Sequence, residues 1–120
     1  MELPWHDIVL ETRDYTVVRE GFPVAEGHII FVPVADTPEK ILVCYKAAIG
    51  WGAGWVSEGF CDAYNMVQSV GRVAGQAVLY PHVHLIPRRA DSQVNIMAWS
   101  SMMGISSRTD DTLGSRRRDT

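Results

Sequence analysis

The stretch GQAVLYPHVHLIPRR, residues 75–89, sets two histidines two positions apart in an apolar run that closes on Pro87, Arg88 and Arg89. Side chains alternate across a strand, so Tyr80, His82, His84 and Ile86 share one face while Pro81, Val83 and Leu85 share the other. Pro81 has no amide hydrogen, which confines it to an edge, to the start of a strand or to an irregular stretch. The reading is a last strand over AVLYPHVHLIP, residues 77–87, irregular near Pro81 and carrying two imidazoles on one face.

Outward from that strand, AYNMVQSVG (residues 63–71) is the preceding strand candidate. Before it lies GWGAGWVSEGF, residues 50–60, whose four glycines each weaken a helix by roughly 1 kcal/mol relative to Ala. That composition predicts a break or turn near Gly50 to Gly54. A helix starts at Thr37-Pro38-Glu39: a hydroxyl cap, Pro at the first helical position, then an acid near the positive end of the dipole. Ile41, Leu42, Tyr45, Ala48 and Ile49 recur at helical spacing and define its expected core face. HIIFVPV, residues 28–34, reads as a central strand covered on both faces, and GFPVAEG before it as a loop. HDIVLE and YTVVRE, split by Arg13 and Asp14, read as a hairpin. The expected fold is α+β, an antiparallel sheet of about five strands with one main helix packed on a face.

Length, charge and cysteine usage narrow the class. With 120 residues the chain holds one domain, and 47% apolar with 21% charged residues is the profile of a soluble globular protein. The formal net charge of −3 supplies no basic field for nucleic acid. No run of about 18 apolar residues spans a membrane. MELPWHDIVLETRD carries acids where a secretion signal needs a basic then an apolar stretch. Cys44 and Cys61 lack metal or disulfide spacing and read as buried thiols in a reducing cytosol. After Asn95 the character changes, and SRTDDTLGSRRRDT, residues 107–120, has little to bury. A domain over residues 1–95 and a partly disordered extension over 96–120 are therefore expected, with Arg116 to Arg118 as a solvated terminus.

His-x-His on a strand has three readings. Two half-buried, hydrogen-bonded side chains need no function at all. Zinc needs a third protein ligand, for which only His28 and His6 offer imidazoles, and Pro87, Arg88, Arg89 and Ala90 stand where an acid would be expected. Nucleophilic attack on phosphorus needs a neutral imidazole whose second ring nitrogen is held protonated by a carbonyl. A neighbouring imidazole can then protonate the leaving group, worth typically ~10²–10⁴ in rate.

GQAVLYPHVHLIPR resembles the signature of the histidine-triad superfamily of nucleotide hydrolases and transferases, a Gly-Gln-(Ser/Thr)-Val element leading into three alternating histidines. EGFPVAEGHIIFVPV, residues 20–34, is similar to the family's upstream element, and the resemblance covers roughly residues 7–90. It implies His82 as the nucleophile, forming a nucleotidyl-histidine intermediate, and His84 as the group serving phosphate and leaving group. It implies phosphate contacts around Ser69, Gly75, Gln76, Ala77 and Val78, a ribose clamp at Glu20, and His28 beside the phosphate site. The substrate would be a phosphoramidate, an adenylylated adduct or a dinucleoside polyphosphate. No protein-bound metal or other cofactor is implied; a divalent cation is compatible with a polyphosphate substrate.

Two departures stand out. Tyr80 occupies the first triad position, and Ala77 replaces a hydroxyl residue. Tyr80-Pro81-His82 is also similar to the His-Pro-His of the uridylyltransferase branch, but that branch has Gln where His84 stands, which favours hydrolysis. A nucleotide-binding protein with weak turnover is the alternative. The resemblance further implies a homodimer, for which the Trp-rich segment near residue 51 would suit the interface, and Trp51, Trp55 and Trp99 read as core or dimer contacts.

Overall fold

Thr12 closes the first hairpin, its Oγ1 accepting the amide hydrogens of Asp14 (3.2 Å) and Tyr15 (3.0 Å). This fixes β1 (Ile8–Glu11) against β2 (Tyr15–Arg19) in the computed structural model, which describes residues 3–91. β3 (Ile29–Pro33), α1 (Pro38–Ser57), β4 (Ala63–Val67) and β5 (Val83–Arg88) follow. The sheet has five antiparallel strands in the order β1-β2-β3-β5-β4. The fold is the α+β arrangement expected from the sequence. Two compact units are distinguished among the described residues: the sheet and helix form one, and the loop Ser69–Leu79 belongs to the other. The expected boundary after residue 95 and the extension beyond it lie outside the described residues.

The two faces of the sheet are covered differently. Val17, Ile29, Phe31, Val83 and Leu85 pack against Cys44 and Ala48 of α1. Val18, Ile30 and Val32 point the other way, where Leu3, Trp5 and Tyr80 lie on them. All of β3 is buried, as its unbroken apolar run requires. His84 pairs with Ile30 across β3 and β5, so it belongs to the face away from the helix.

α1 begins where the sequence predicted, with Thr37 accepting the Lys40 amide at 3.2 Å and Pro38 in the first turn. It does not break near Gly50 to Gly54 but continues to Ser57. The physical reason is tertiary. Trp51 stands edge-on to Phe31 with ring centroids 5.5 Å apart, and Trp55 lies 5.3 Å from Phe60. Burying a large apolar side chain contributes roughly 1.5–3 kcal/mol, enough for two half-buried tryptophans to offset glycines at about 1 kcal/mol each. Gly52 is itself required, because a Cβ there would lie 2.7 Å from the Tyr64 ring.

The core face of α1 also differs from the expected stripe. Cys44, Ala48 and Gly52 are buried, flanked by Tyr45, Trp51 and Trp55, whereas Leu42 is 65% and Ile49 50% exposed. Trp51 and Trp55 therefore pack inward, and the exposed apolar line along the helix is Leu42, Ile49 and Val56. Among the described residues, no helix is long and apolar enough to cross a membrane.

Candidate active site

Strand β5 starts at Val83, not at residue 77, so His82 occupies the turn into the strand and Pro81 precedes it. A proline without an amide hydrogen fits there. The consequence is that His82 is freed from the flat alternation of the sheet while His84 remains locked in it. Their rings lie 5.1 Å apart at 68°.

His82 Nδ1 stands 2.8 Å from the backbone carbonyl oxygen of Tyr80. A carbonyl can only accept, so the proton is on Nδ1 and Nε2 keeps its lone pair. Tyr80 itself is anchored, its hydroxyl donating to the Pro33 carbonyl at the end of β3 over 2.7 Å. Desolvation pushes the His82 pKa below its ordinary value, only partly countered by the Tyr80 carbonyl and the charge of Glu20. The ring is thus neutral at physiological pH, and it is half-buried rather than sealed.

His84 is more enclosed, at 7% exposure, and burial together with the neighbouring His28 and His82 lowers its pKa to about 3. Its Nδ1 lies 2.9 Å from His28 Nε2 and 3.8 Å from a Glu20 carboxylate oxygen. His28 is 3% exposed, with burial lowering its pKa to about 4. The other nitrogen of His28, Nδ1, accepts the amide hydrogen of Val24 at 3.2 Å. Glu20 turns its second oxygen to the Phe22 amide at 3.1 Å. The fold therefore brings Tyr80, His82, His84, Glu20 and His28 together on one sheet face.

Glu20, His28 and His84 also form a candidate cation cluster, with potential ligand atoms all within 4.8 Å of one another. A carboxylate and two neutral imidazoles are a suitable donor set in composition. The tautomer is not suitable: with Nδ1 of His28 accepting from Val24, its Nε2 bears the proton and faces the cluster as a donor. As arranged, the three residues do not present three lone pairs to one ion.

Of the remaining residues singled out in the sequence, Ser69, Gly75, Gln76, Ala77 and Val78 lie in the loop unit. There, Gly71 and Gly75 take φ values of +96° and +98°, flanking a single 3₁₀ turn over Arg72–Ala74. Buried Gln76 braces this loop, its Oε1 accepting the Gly71 amide at 2.7 Å and its Nε2 donating to the Leu79 carbonyl at 2.8 Å. Its side-chain amide thus holds loop backbone. Ala77 is exposed and Ser69 half-buried.

Trp5 escaped the sequence reading. Its ring lies 4.8 Å from that of His82, and together with Leu3, Ile8, Val18, Val32 and Tyr80 it lines a groove of about 500 Å³. No pattern around LPWHD marks this aromatic as a neighbour of the histidines, because the relationship exists only once Trp5 packs, with Tyr80, on Val18, Ile30 and Val32 of the folded sheet. Val24 was equally invisible, since it acts through its backbone amide.

An α+β sheet presenting an oriented, neutral imidazole beside a second, buried one defines a class of protein suited to nucleophilic chemistry. No family model matches the chain. Its similarity to individual proteins is clear. It is 31% identical over 97 residues to the adenosine 5'-monophosphoramidase of Saccharomyces cerevisiae, covering 76% of this chain and 60% of that protein. It is 28% identical over 75 residues to an adenylylsulfatase of Arabidopsis thaliana, covering 56% of this chain and 38% of that one. Among solved structures, a zinc-bound histidine-triad family protein from Mycobacterium smegmatis superposes with a TM-score of 0.67 at 20% identity, over 74% of this chain and 70% of that one. The chain is similar in sequence to histidine-triad-like proteins and has the histidine-triad fold. It spans 60% and 38% of the lengths of the two curated relatives just named.

Proposed function

We propose that this protein hydrolyses a nucleoside phosphate derivative at its α-phosphorus, through a nucleotidyl intermediate on His82. Relatives named as a monophosphoramidase and an adenylylsulfatase support this substrate class. The observation that carries the reading is the 2.8 Å contact between His82 Nδ1 and the Tyr80 carbonyl, which leaves Nε2 as a free nucleophile. In the first step the Nε2 lone pair forms an N–P bond, the bond from phosphorus to the leaving group breaks, and the leaving group takes the proton offered by His84. In the second, water attacks phosphorus and returns a proton to His84, the N–P bond breaks, and the nucleoside monophosphate departs with His82 and His84 both neutral again. The Glu20 carboxylate is the acceptor suited to ribose hydroxyls. A divalent cation accompanies a polyphosphate substrate rather than binding to the protein beforehand.

The test is acid-quench trapping with labelled nucleotide. Label retained on the wild type and absent from His82→Ala supports the assignment. Equal label on both proteins overturns it.

A nucleotide-binding role with little turnover is favoured by one observation: the Trp5 ring packs against His82, and the adjoining groove runs past Trp5 and Tyr80. AMP binding without product from adenosine phosphoramidate or diadenosine polyphosphates would select that reading. In either case the active species is a homodimer joined through the exposed line Leu42, Ile49 and Val56. Light scattering of wild type against Leu42→Glu/Ile49→Glu tests the assembly, and a wild-type monomer refutes it.

A further inference from the structure

We propose that His28 is a positioning residue that sets the tautomer of His84, so that His84 presents an N–H through Nε2. The proposal deepens the hydrolase reading and rests on it for its catalytic consequence, although the tautomer itself is independent of turnover.

The chain of contacts begins at the backbone. The Val24 amide can only donate, and it points at His28 Nδ1 over 3.2 Å. His28 Nδ1 must therefore carry a lone pair, and the neutral ring must carry its proton on Nε2. That Nε2 lies 2.9 Å from His84 Nδ1, so the N–H of His28 donates and His84 Nδ1 accepts. A neutral His84 then has a single place left for its proton, Nε2. Both rings are buried, and solvent does not compete for these contacts.

The neighbouring carboxylate pulls the other way. Glu20 Oε1 is 3.8 Å from the same Nδ1 and would favour a proton there. The shorter contact to His28 wins in this geometry. Without His28, the tautomer with the proton on Nδ1, directed at Glu20, gains population, and Nε2 becomes an acceptor that cannot protonate a leaving group. Two backbone groups thus set opposite outcomes for two adjacent imidazoles: the Tyr80 carbonyl makes His82 a nucleophile, and the Val24 amide, acting through His28, makes His84 a donor.

Two variants separate this role from simple packing. His28→Gln keeps an acceptor for Val24 and a donor for His84; His28→Phe keeps ring volume and loses both. Long-range ¹H–¹⁵N spectra of the histidine side chains report directly which nitrogen of His84 is protonated. Wild type and His28→Gln should both show a protonated Nε2 and a bare Nδ1. His28→Phe should shift His84 toward a protonated Nδ1 while His82 keeps its own tautomer.

In turnover, kcat should fall by about 10²-fold in His28→Phe with KM little changed, and recover in His28→Gln. A protonated Nδ1 on His84 in the wild type overturns the proposal, as does an unaltered His84 in folded His28→Phe. Should His28→Phe not fold, wild type and His28→Gln still decide: loss of the Nε2 proton in folded His28→Gln also overturns it. Absence of turnover in every protein, with the expected spectra, would reject the hydrolase reading while leaving the positioning role intact.

Discussion

The carbonyl oxygen of Tyr80 lies 2.8 Å from His82 Nδ1, while the hydroxyl of the same tyrosine is tied to the Pro33 carbonyl at 2.7 Å. One residue thereby links the end of β3 to the orientation of the candidate nucleophile. A residue with a histidine in this position would offer the same carbonyl, so the departure from three histidines leaves the aiming contact in place.

Tyr80→Phe tests the anchor. Loss of the hydroxyl leaves the Pro33 carbonyl without that donor, and stability should fall by about 1 kcal/mol. Turnover should fall by less than tenfold, because the backbone carbonyl of residue 80 remains. Chemical denaturation and steady-state kinetics on the same preparation check both values; a loss as deep as that of His82→Ala would show that the side chain itself takes part.

Glycines at two neighbouring positions of α1 should respond in opposite senses. Gly52→Ala places a methyl 2.7 Å from the Tyr64 ring, and crowding of this kind typically costs about 1–3 kcal/mol. A Cβ at Gly50 meets nothing within 4 Å, so Gly50→Ala should stabilise by up to about 1 kcal/mol through helix propensity. Thermal melts of the two variants decide, and equal shifts would contradict the packing described.

Removal of the Thr37 side-chain acceptor in Thr37→Ala strands the Lys40 amide at the start of α1. The expected loss is about 1 kcal/mol, read from the denaturation midpoint.

Acid should destabilise the fold through the buried imidazoles. His28 and His84 have folded pKa values of about 4 and about 3, below the ordinary 6.5. Above pH 6.5 both are neutral whether folded or unfolded. As pH falls below 6.5 the unfolded chain binds protons that the folded one refuses, so stability declines until the folded values are reached. The melting temperature should drop from pH 7 to pH 4, with a shallower slope in His28→Gln. The acid limb of turnover should likewise lie below pH 6.5, since His82 is also shifted downward.

The local pattern in the sequence was sufficient for the hairpin, the β3 run, the Thr37-Pro38 start of α1 and the pairing of His82 with His84, because each depends on neighbours within a few residues. Glu20 and His28 were marked by resemblance, yet their distances to His84 exist only once β3 and β5 pair. The continuation of α1 through three glycines was hidden, because Trp51, Trp55 and Tyr64 act on it from elsewhere in the chain. So were the groove beside Trp5 and the tautomers of the three imidazoles. Residue types declare which groups can carry a proton; which nitrogen carries it is decided by the Tyr80 carbonyl and the Val24 amide, backbone groups whose direction comes from the folded chain and not from the side chains spelled in the sequence.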